Sequence, residues 1–386
     1  MYFCWGMASS MVFSLLPIYI VEELHGSTKQ FGYIEGIAVL CSFLSKLFAG
    51  FFIDIFKRKI NILYTGTIST VISKILIALS NTVLLVVIAK SIDRIAKGLR
   101  HAPVDAMFAE LSNKMGTAYS LRYTINMLGT LIGSLFTAVL VDQFDKQFHV
   151  IFTLACIPTI IALYILQTKV KHHYKNSEKR ISKKIRPEWK LSYVKYLPKE
   201  YWRFLILVIL IMFNRFSEGF ITLKARSILP PDALSDLPRY MALYELCIVS
   251  IAFPMGKLSD RVDKYTVVLL GIATLCIADV LGIFANTRIT VIMIYIFSGL
   301  HMGITHSLLA SIVARIAPKE LIGTAFALYY GVVGLTLLLT NSLAGISGFV
   351  FNNLLKTSIT SGPFIMGLLT SLSATIYLLQ WRYWHK

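Results

Sequence analysis

The chain has 386 residues, is 56% hydrophobic and only 15% charged, and carries a formal net charge of +18. Soluble domains sit at roughly 45–50% apolar and about 25% charged, so this composition excludes a water-soluble globular protein, whose core could not hide the surplus. The bases gather in a few short loops between apolar runs rather than on one amphipathic surface, which argues against a nucleic-acid partner and makes them a topology signal.

A membrane-spanning helix takes roughly 20 residues. Twelve such runs are predicted, at 3–21, 31–53, 60–80, 83–110, 117–141, 148–168, 203–225, 239–258, 265–285, 289–313, 320–346 and 362–381. Backbone groups in hydrocarbon must bond within their own segment, so runs this long mean helices; a β-barrel would show short alternating strands. No basic region precedes the first run, so no cleavable signal peptide is expected, and whether the natural start lies upstream of Met1 is left open. Cys4, Cys41, Cys156, Cys247 and Cys276 all fall in apolar stretches without metal spacing and read as small hydrophobes.

The one long polar insertion begins KVKHHYKNSEKRISKKIRPEWK at Lys169, and residues 169–203 hold twelve bases. It divides the chain into a six-helix bundle at 1–168, a basic cytoplasmic linker at 169–202 that also touches anionic lipid, and a second six-helix bundle at 203–386. Lys57, Arg58 and Lys59, Lys114 and Arg122, Lys257, Arg261 and Lys264, Arg315 and Lys319, and Arg382 and Lys386 join the linker on one side of the membrane. Lys29, Lys146, Lys224, Arg226, Arg239, Arg288 and Lys356 lie on the other. The bias places both termini in the cytoplasm.

An internal repeat supports two halves. Gly50-Phe-Phe-Ile-Asp54-Ile-Phe-Lys57-Arg58-Lys59 and Gly256-Lys257-Leu-Ser-Asp260-Arg261-Val-Asp263-Lys264 both read Gly-x3-Asp-x3-basic, 206 residues apart, each predicted in the turn between the second and third helix of its half. This loop resembles the hallmark of the major facilitator superfamily, Gly-x3-Asp-Arg-x-Gly-Arg-Arg/Lys. Gly50, Asp54, Arg58 and Lys59 match it, while Ile55 and Lys57 replace the usual Arg and Gly; the second copy keeps Gly256, Asp260 and Arg261. The resemblance implies a conformational latch built from Gly50, Asp54, Arg58, Gly256, Asp260 and Arg261, weakened in the first copy by the missing Arg. An ordinary inside-positive turn is the plainer alternative.

The fourth run reads Lys90-Ser-Ile-Asp93-Arg94-Ile-Ala-Lys97-Gly98-Leu-Arg100-His101-Ala102-Pro103-Val-Asp105. Arg94-x3-Gly98-x3-Ala102 resembles the superfamily's fourth-span signature, and DRIAKGLRHAPVDA is similar to a bacterial subgroup. The resemblance implies an all-α polytopic membrane protein of the inner (plasma) membrane, with twelve transmembrane helices in two six-helix pseudo-symmetric bundles around a central cavity. It also implies a monomeric secondary transporter for a small-molecule substrate, with protons as a candidate coupling ion and no cofactor or metal.

Ionisable groups within membrane helices are costly, and face a bundle interior or water. Asp93, Lys97 and Arg100 share a helix face, with Asp93 expected to pair with Lys97; Arg94 points away from them. Glu35 and Lys46 share a face of the second run, and Lys74 requires a carboxylate partner. Arg215 and Glu218, spaced i,i+3, read as a local ion pair. Glu245 and Asp279 are isolated acids, and His301 and His306 are better read as neutral polar contacts than as metal ligands. The candidate translocation path is Arg94, Lys97, Asp93, Arg215, Glu218 and Glu35, each with a structural alternative. Glu35, Glu218 and Glu245 are candidate proton-coupling carboxylates. Gly129-x3-Gly133 permits close helix packing, and the lack of a proline after Gly133 leans toward symport or uniport.

Arg94, Lys97, Lys74 and Arg215 outnumber nearby acids, which points to an anionic or zwitterionic metabolite. Efflux of amphipathic compounds is one alternative; a transport-inactive membrane sensor or a polytopic membrane enzyme is another. No Gly-x4-Gly-Lys-Ser/Thr, His-Glu-x2-His or Gly-x-Ser-x-Gly occurs, so neither an ATP-driven pump nor an enzyme is expected.

Overall fold

A computed structural model describes residues 1–56, 59–111, 115–170, 195–318, 321–355 and 358–383. The described residues form helices and no strand. In chain order these are α1 (Tyr2–Phe13), α2 (Leu16–Ile18), which runs into a π turn at Tyr19–Glu23, α3 (Thr28–Phe56), α4 (Lys59–Ala78), α5 (Val83–Leu111), α6 (Met115–Phe144), α7 (Phe148–Leu154) and α8 (Cys156–Ile165). They continue as α9 (Lys199–Met212), α10 (Glu218–Arg226), α11 (Asp236–Arg261), α12 (Lys264–Phe284), α13 (Arg288–Ile316), α14 (Ile322–Leu355) and α15 (Gly362–Tyr383). Each predicted run overlaps helix, but the first is interrupted at Ser14 and Leu15 and the seventh between Met212 and Glu218. Several helices extend past the expected edges, so Gly50, Asp54, Gly256 and Asp260 sit in the last turns of α3 and α11 rather than in a loop.

Local chemistry sets several starts. Ser27 and Gln30 form a reciprocal cap at α3, with the Ser27 N–H 2.8 Å from Gln30 Oε1 and the Gln30 N–H 3.1 Å from Ser27 Oγ. The Asp263 carboxylate accepts the Thr266 N–H at 3.3 Å at the start of α12, which gives one acid of the second repeat copy a capping role.

The chain forms two compact units. Unit one comprises Met1–Gly26, Ile37–Pro187 and Leu234–Ala242; unit two comprises Ser27–Gly36, Glu188–Ala233 and Leu243–Lys386. In unit one, α1 lies along α6 at close range. A Cβ on Gly129 or Gly133 would collide with the backbone of Phe3 or Met7, so the small-x3-small spacing serves the packing expected of it. In unit two, Tyr201, Phe204 and Val208 of α9 form a core with Val268 of α12, Leu309 of α13 and Leu378 of α15.

Side-chain polarity is inverted relative to a soluble protein. Leu354, Leu84 and Phe284 are 71%, 68% and 74% exposed, whereas Lys74, Asp93 and Asp279 are 0%, 2% and 1% exposed. Apolar groups outside and ions inside is the arrangement a hydrocarbon solvent selects. Eight helical stretches among the described residues are long and apolar enough to cross a membrane. All five cysteines carry free thiols.

Candidate functional site

Pro17 organises the first site. It has no N–H for the carbonyl four residues earlier, that of Phe13, and its ring crowds the same turn. α1 therefore stops at Phe13, Ser14 and Leu15 make a turn, and helix resumes at Leu16. The interruption sets the Phe13 ring beneath three cations: Lys74 Nζ, Lys90 Nζ and Arg94 Cζ lie 4.9, 5.1 and 4.6 Å from its centroid. Desolvated cation–π contacts contribute about 2 kcal/mol.

Lys74 Nζ on α4 is 3.2 Å from Asp93 Oδ1 on α5, and the Ser73 hydroxyl donates to the same oxygen at 3.4 Å. Lys74 thus has the carboxylate its burial requires. The expected Asp93–Lys97 pair is not the one formed: α4 and α5 pack tightly, and a fully buried ammonium needs the anion more than half-buried Lys97 does. Arg100 is buried with its guanidinium 4.4 Å over Trp5. Further along, Tyr2 meets Trp5 and His101 edge-on, and Arg122 lies 5.4 Å over Tyr2. Asp93 is occupied by Lys74, and among the described residues the buried Arg94 Nε, Arg100 Nη1 and Ser14 Oγ have no hydrogen-bond partner.

A second interruption lies in unit two. α9 ends at Met212 and α10 begins at Glu218, with no proline responsible. α14 holds the gap open: the Thr340 hydroxyl donates to the Met212 carbonyl at 3.1 Å, and Asn341 Oδ1 accepts the Ser217 N–H at 2.8 Å. Arg215, inside the gap, donates to His301 Nε2 at 3.3 Å and to the Thr305 hydroxyl. His301 Nδ1 is 2.8 Å from the Gly271 carbonyl, which only accepts, so Nδ1 carries the proton and Nε2 takes the bond from Arg215. This is the neutral polar role expected of His301. Glu218 accepts from the Tyr244 hydroxyl at 3.0 Å and not from Arg215. The expected i,i+3 pair fails because the two residues do not share a continuous helix. Asn214, beside Arg215, donates to Asp279 Oδ2 at 2.6 Å and to Ser371.

Glu35, in the first turns of α3, and Glu245, on α11, are buried at 6% and 4% exposure. The side chains of Asp54, Asp260, Arg261, Lys46 and His306 and the surroundings of Gly50 and Gly256 lie outside what is described, and Arg58 lies outside the described residues altogether.

The family model of the Major Facilitator Superfamily matches residues 1–226 and 235–385. The chain belongs to the Major Facilitator Superfamily. An uncharacterized MFS-type transporter of Methanocaldococcus jannaschii is 25% identical over 349 residues, which cover 88% of this chain and 84% of that relative. Among solved structures, the nucleoside transporter NupG matches with a TM-score of 0.79 at 11% identity, covering 100% of this chain and 97% of that one. A D-xylose–proton symporter matches with a TM-score of 0.74 at 13% identity, covering 97% and 95%. At such identities these structures share the fold alone. This superfamily member is an integral membrane transporter. Its charged fourth-run motif was legible in the sequence. Its aromatic floor of Tyr2, Trp5 and Phe13, and the polar set Asn214, Ser371, Thr340 and Asn341, were not. Pro17, a helix breaker inside the first apolar run, was the local signal available for the former.

Proposed function

We propose that this transporter is a secondary active carrier of a small anionic or zwitterionic metabolite, working by alternating access, with the cation cluster at Phe13 as the wall that receives the anion. The observation that carries the reading is Arg94: its guanidinium lies over Phe13 with Nε buried and, among the described residues, without an acceptor, beside an acid already engaged by Lys74. A buried charged donor left unsatisfied costs more than about 1–3 kcal/mol. A carboxylate or phosphate oxygen relieves that cost and suits the forked geometry of arginine. Lys97, half-buried one turn along α5, extends the same charged stretch. Arg215, Glu218 and Glu35 are assigned to the path in unit two. The Gly-x3-Asp-x3-basic repeats are assigned to the latch, and both termini to the cytoplasmic side of an inner membrane.

The test is uptake into vesicles containing the purified monomer, using a panel of organic acids, phosphate esters, amino acids and neutral sugars. The expected result is uptake of acids or zwitterions, lowered roughly 10- to 100-fold by Arg94→Gln, as the loss of a charge-assisted hydrogen bond of about 1.5–3 kcal/mol requires. Transport of neutral sugars with no transport of acids rejects the reading. Export of amphipathic cations from loaded vesicles would favour the efflux alternative.

A further inference from the structure

We infer that Asp279 is a proton-binding site of the transporter, a membrane-buried carboxyl that takes up and releases H+ at the interrupted helix of unit two. Asp279 sits in the C-terminal third of α12, five residues before its end, and is 1% exposed. Among the described residues no cation pairs with it. Its hydrogen-bond partner is the neutral Asn214 amide at 2.6 Å, and Asn214 projects from the gap between α9 and α10. His301 meets α12 at the Gly271 carbonyl, eight residues from Asp279 and so about 12 Å along the axis, and Arg215 is turned to His301 and Thr305. Lys224 is bound to Ser361, whose hydroxyl bonds the Ile283 carbonyl one turn in the other direction. Cys276 is on the same helix, and α15 presents Gly367 and Ser371.

The donor count shows what is missing. The Asn214 Nδ2 group serves both Asp279 Oδ2 and Ser371 Oγ, while Asn214 Oδ1 is buried with no donor. Gly367 closes the space: a Cβ there would strike Asn214 Oδ1 and crowd Asp279 Oδ1, so there is no room for a larger side chain to bring a donor. Turning the amide over does not help, because its oxygen would then face the Asp279 carboxylate. Either orientation leaves the site one donor short, and a proton on Asp279 supplies that donor. The step is a simple protonation: the carboxylate gains H+ from water to form a carboxylic acid, no other bond forms or breaks, and the reverse returns H+ to water. Its position gives the step a mechanical consequence. Neutralising Asp279 changes the bonding of Asn214, and Asn214 lies in the segment where the seventh run is unwound, next to Arg215. Discontinuous helices of this kind are where transporters place ion and substrate contacts.

The inference rests on the transporter fold but not on the charge of the cargo, and its first test needs no cargo. Infrared difference spectra of the purified protein in lipid nanodiscs, titrated from acid to alkaline pH, would show a protonated-carboxyl band that disappears as pH rises and that Asp279→Asn lacks. Asp279→Asn keeps the size of the side chain without a titrating proton, and the control Glu200→Gln, at an exposed carboxyl, is expected to leave the band in place. A band absent at every pH, one that does not titrate, or one that survives Asp279→Asn overturns the inference. With a cargo found by the uptake panel, Asp279→Asn would abolish accumulation driven by a pH gradient at least tenfold while leaving exchange of labelled for unlabelled cargo intact. Unchanged gradient-driven accumulation would also overturn it.

Discussion

The two interrupted helices are counterparts with opposite chemistry. α1 ends at Phe13 and α9 at Met212, inside the first and seventh runs, and each break is the point at which its unit gathers buried polar groups. In unit one the break faces cations, with Lys74, Lys90 and Arg94 over Phe13. In unit two it faces an acid: Asn214 bonds Asp279. Lys74 and Asp279 lie 205 residues apart, within one residue of the 206 that separate the repeat copies, and each sits on the helix that follows its copy. The helix after each repeat copy thus holds a buried base in one unit and, one residue off the repeat spacing, a buried acid in the other. The base has an ionic partner, Asp93; the acid has an amide. The first arrangement makes a fixed charge, and the second makes a group whose charge depends on a proton.

The comparison is most sharply broken at Lys74. Lys74→Met leaves Asp93 buried without its cation, and about 3–5 kcal/mol of stability should be lost. Thermal unfolding in detergent would register this as a large drop, and Lys74→Met/Asp93→Leu should recover most of it, because a well-packed apolar pair can replace a buried ion pair. A drop that persists in the double variant would mean the pair is not the source. A smaller effect is expected at Asn341. Asn341→Leu removes the acceptor of the Ser217 N–H, which should cost about 1–3 kcal/mol and shorten the hydrogen-exchange lifetime of the unit-two break while leaving the unit-one break unchanged. The smallest effect is expected at a surface ion pair of unit one. Arg239 reaches Asp142 at 2.5 Å and Asp236 at 3.2 Å, but Arg239 and Asp142 are nearly half exposed. Arg239→Ala should therefore shift stability by only about 0.2–1 kcal/mol, and less at high salt.

The fold could be read from the sequence because bilayer thickness and hydrogen-bond satisfaction leave a long apolar run one option. The candidate site was read in part. The acidic partner that Lys74 needs followed from the cost of burying an ion, but its identity did not, since Asp93 was closer to Lys97 in sequence and closer to Lys74 in space. Arg215 and Glu218 looked like an ion pair only on the assumption of an unbroken helix; the gap sends one to His301 and Thr305 and the other to Tyr244. Asp279 read as one isolated acid among several until Asn214 was found to be its partner.

The sequence alone determined the solvent of this protein, its helices and its repeat, because hydropathy and length act locally; the break at Pro17 also has a local cause, but the expected run at 3–21 did not include it. Only tertiary structure decided the second break, where Thr340 and Asn341 arrive from over 120 residues away to replace lost backbone bonds. It also decided which buried charges are paired, because in a low-dielectric interior the nearest partner in space, not along the chain, sets the energy of an ion.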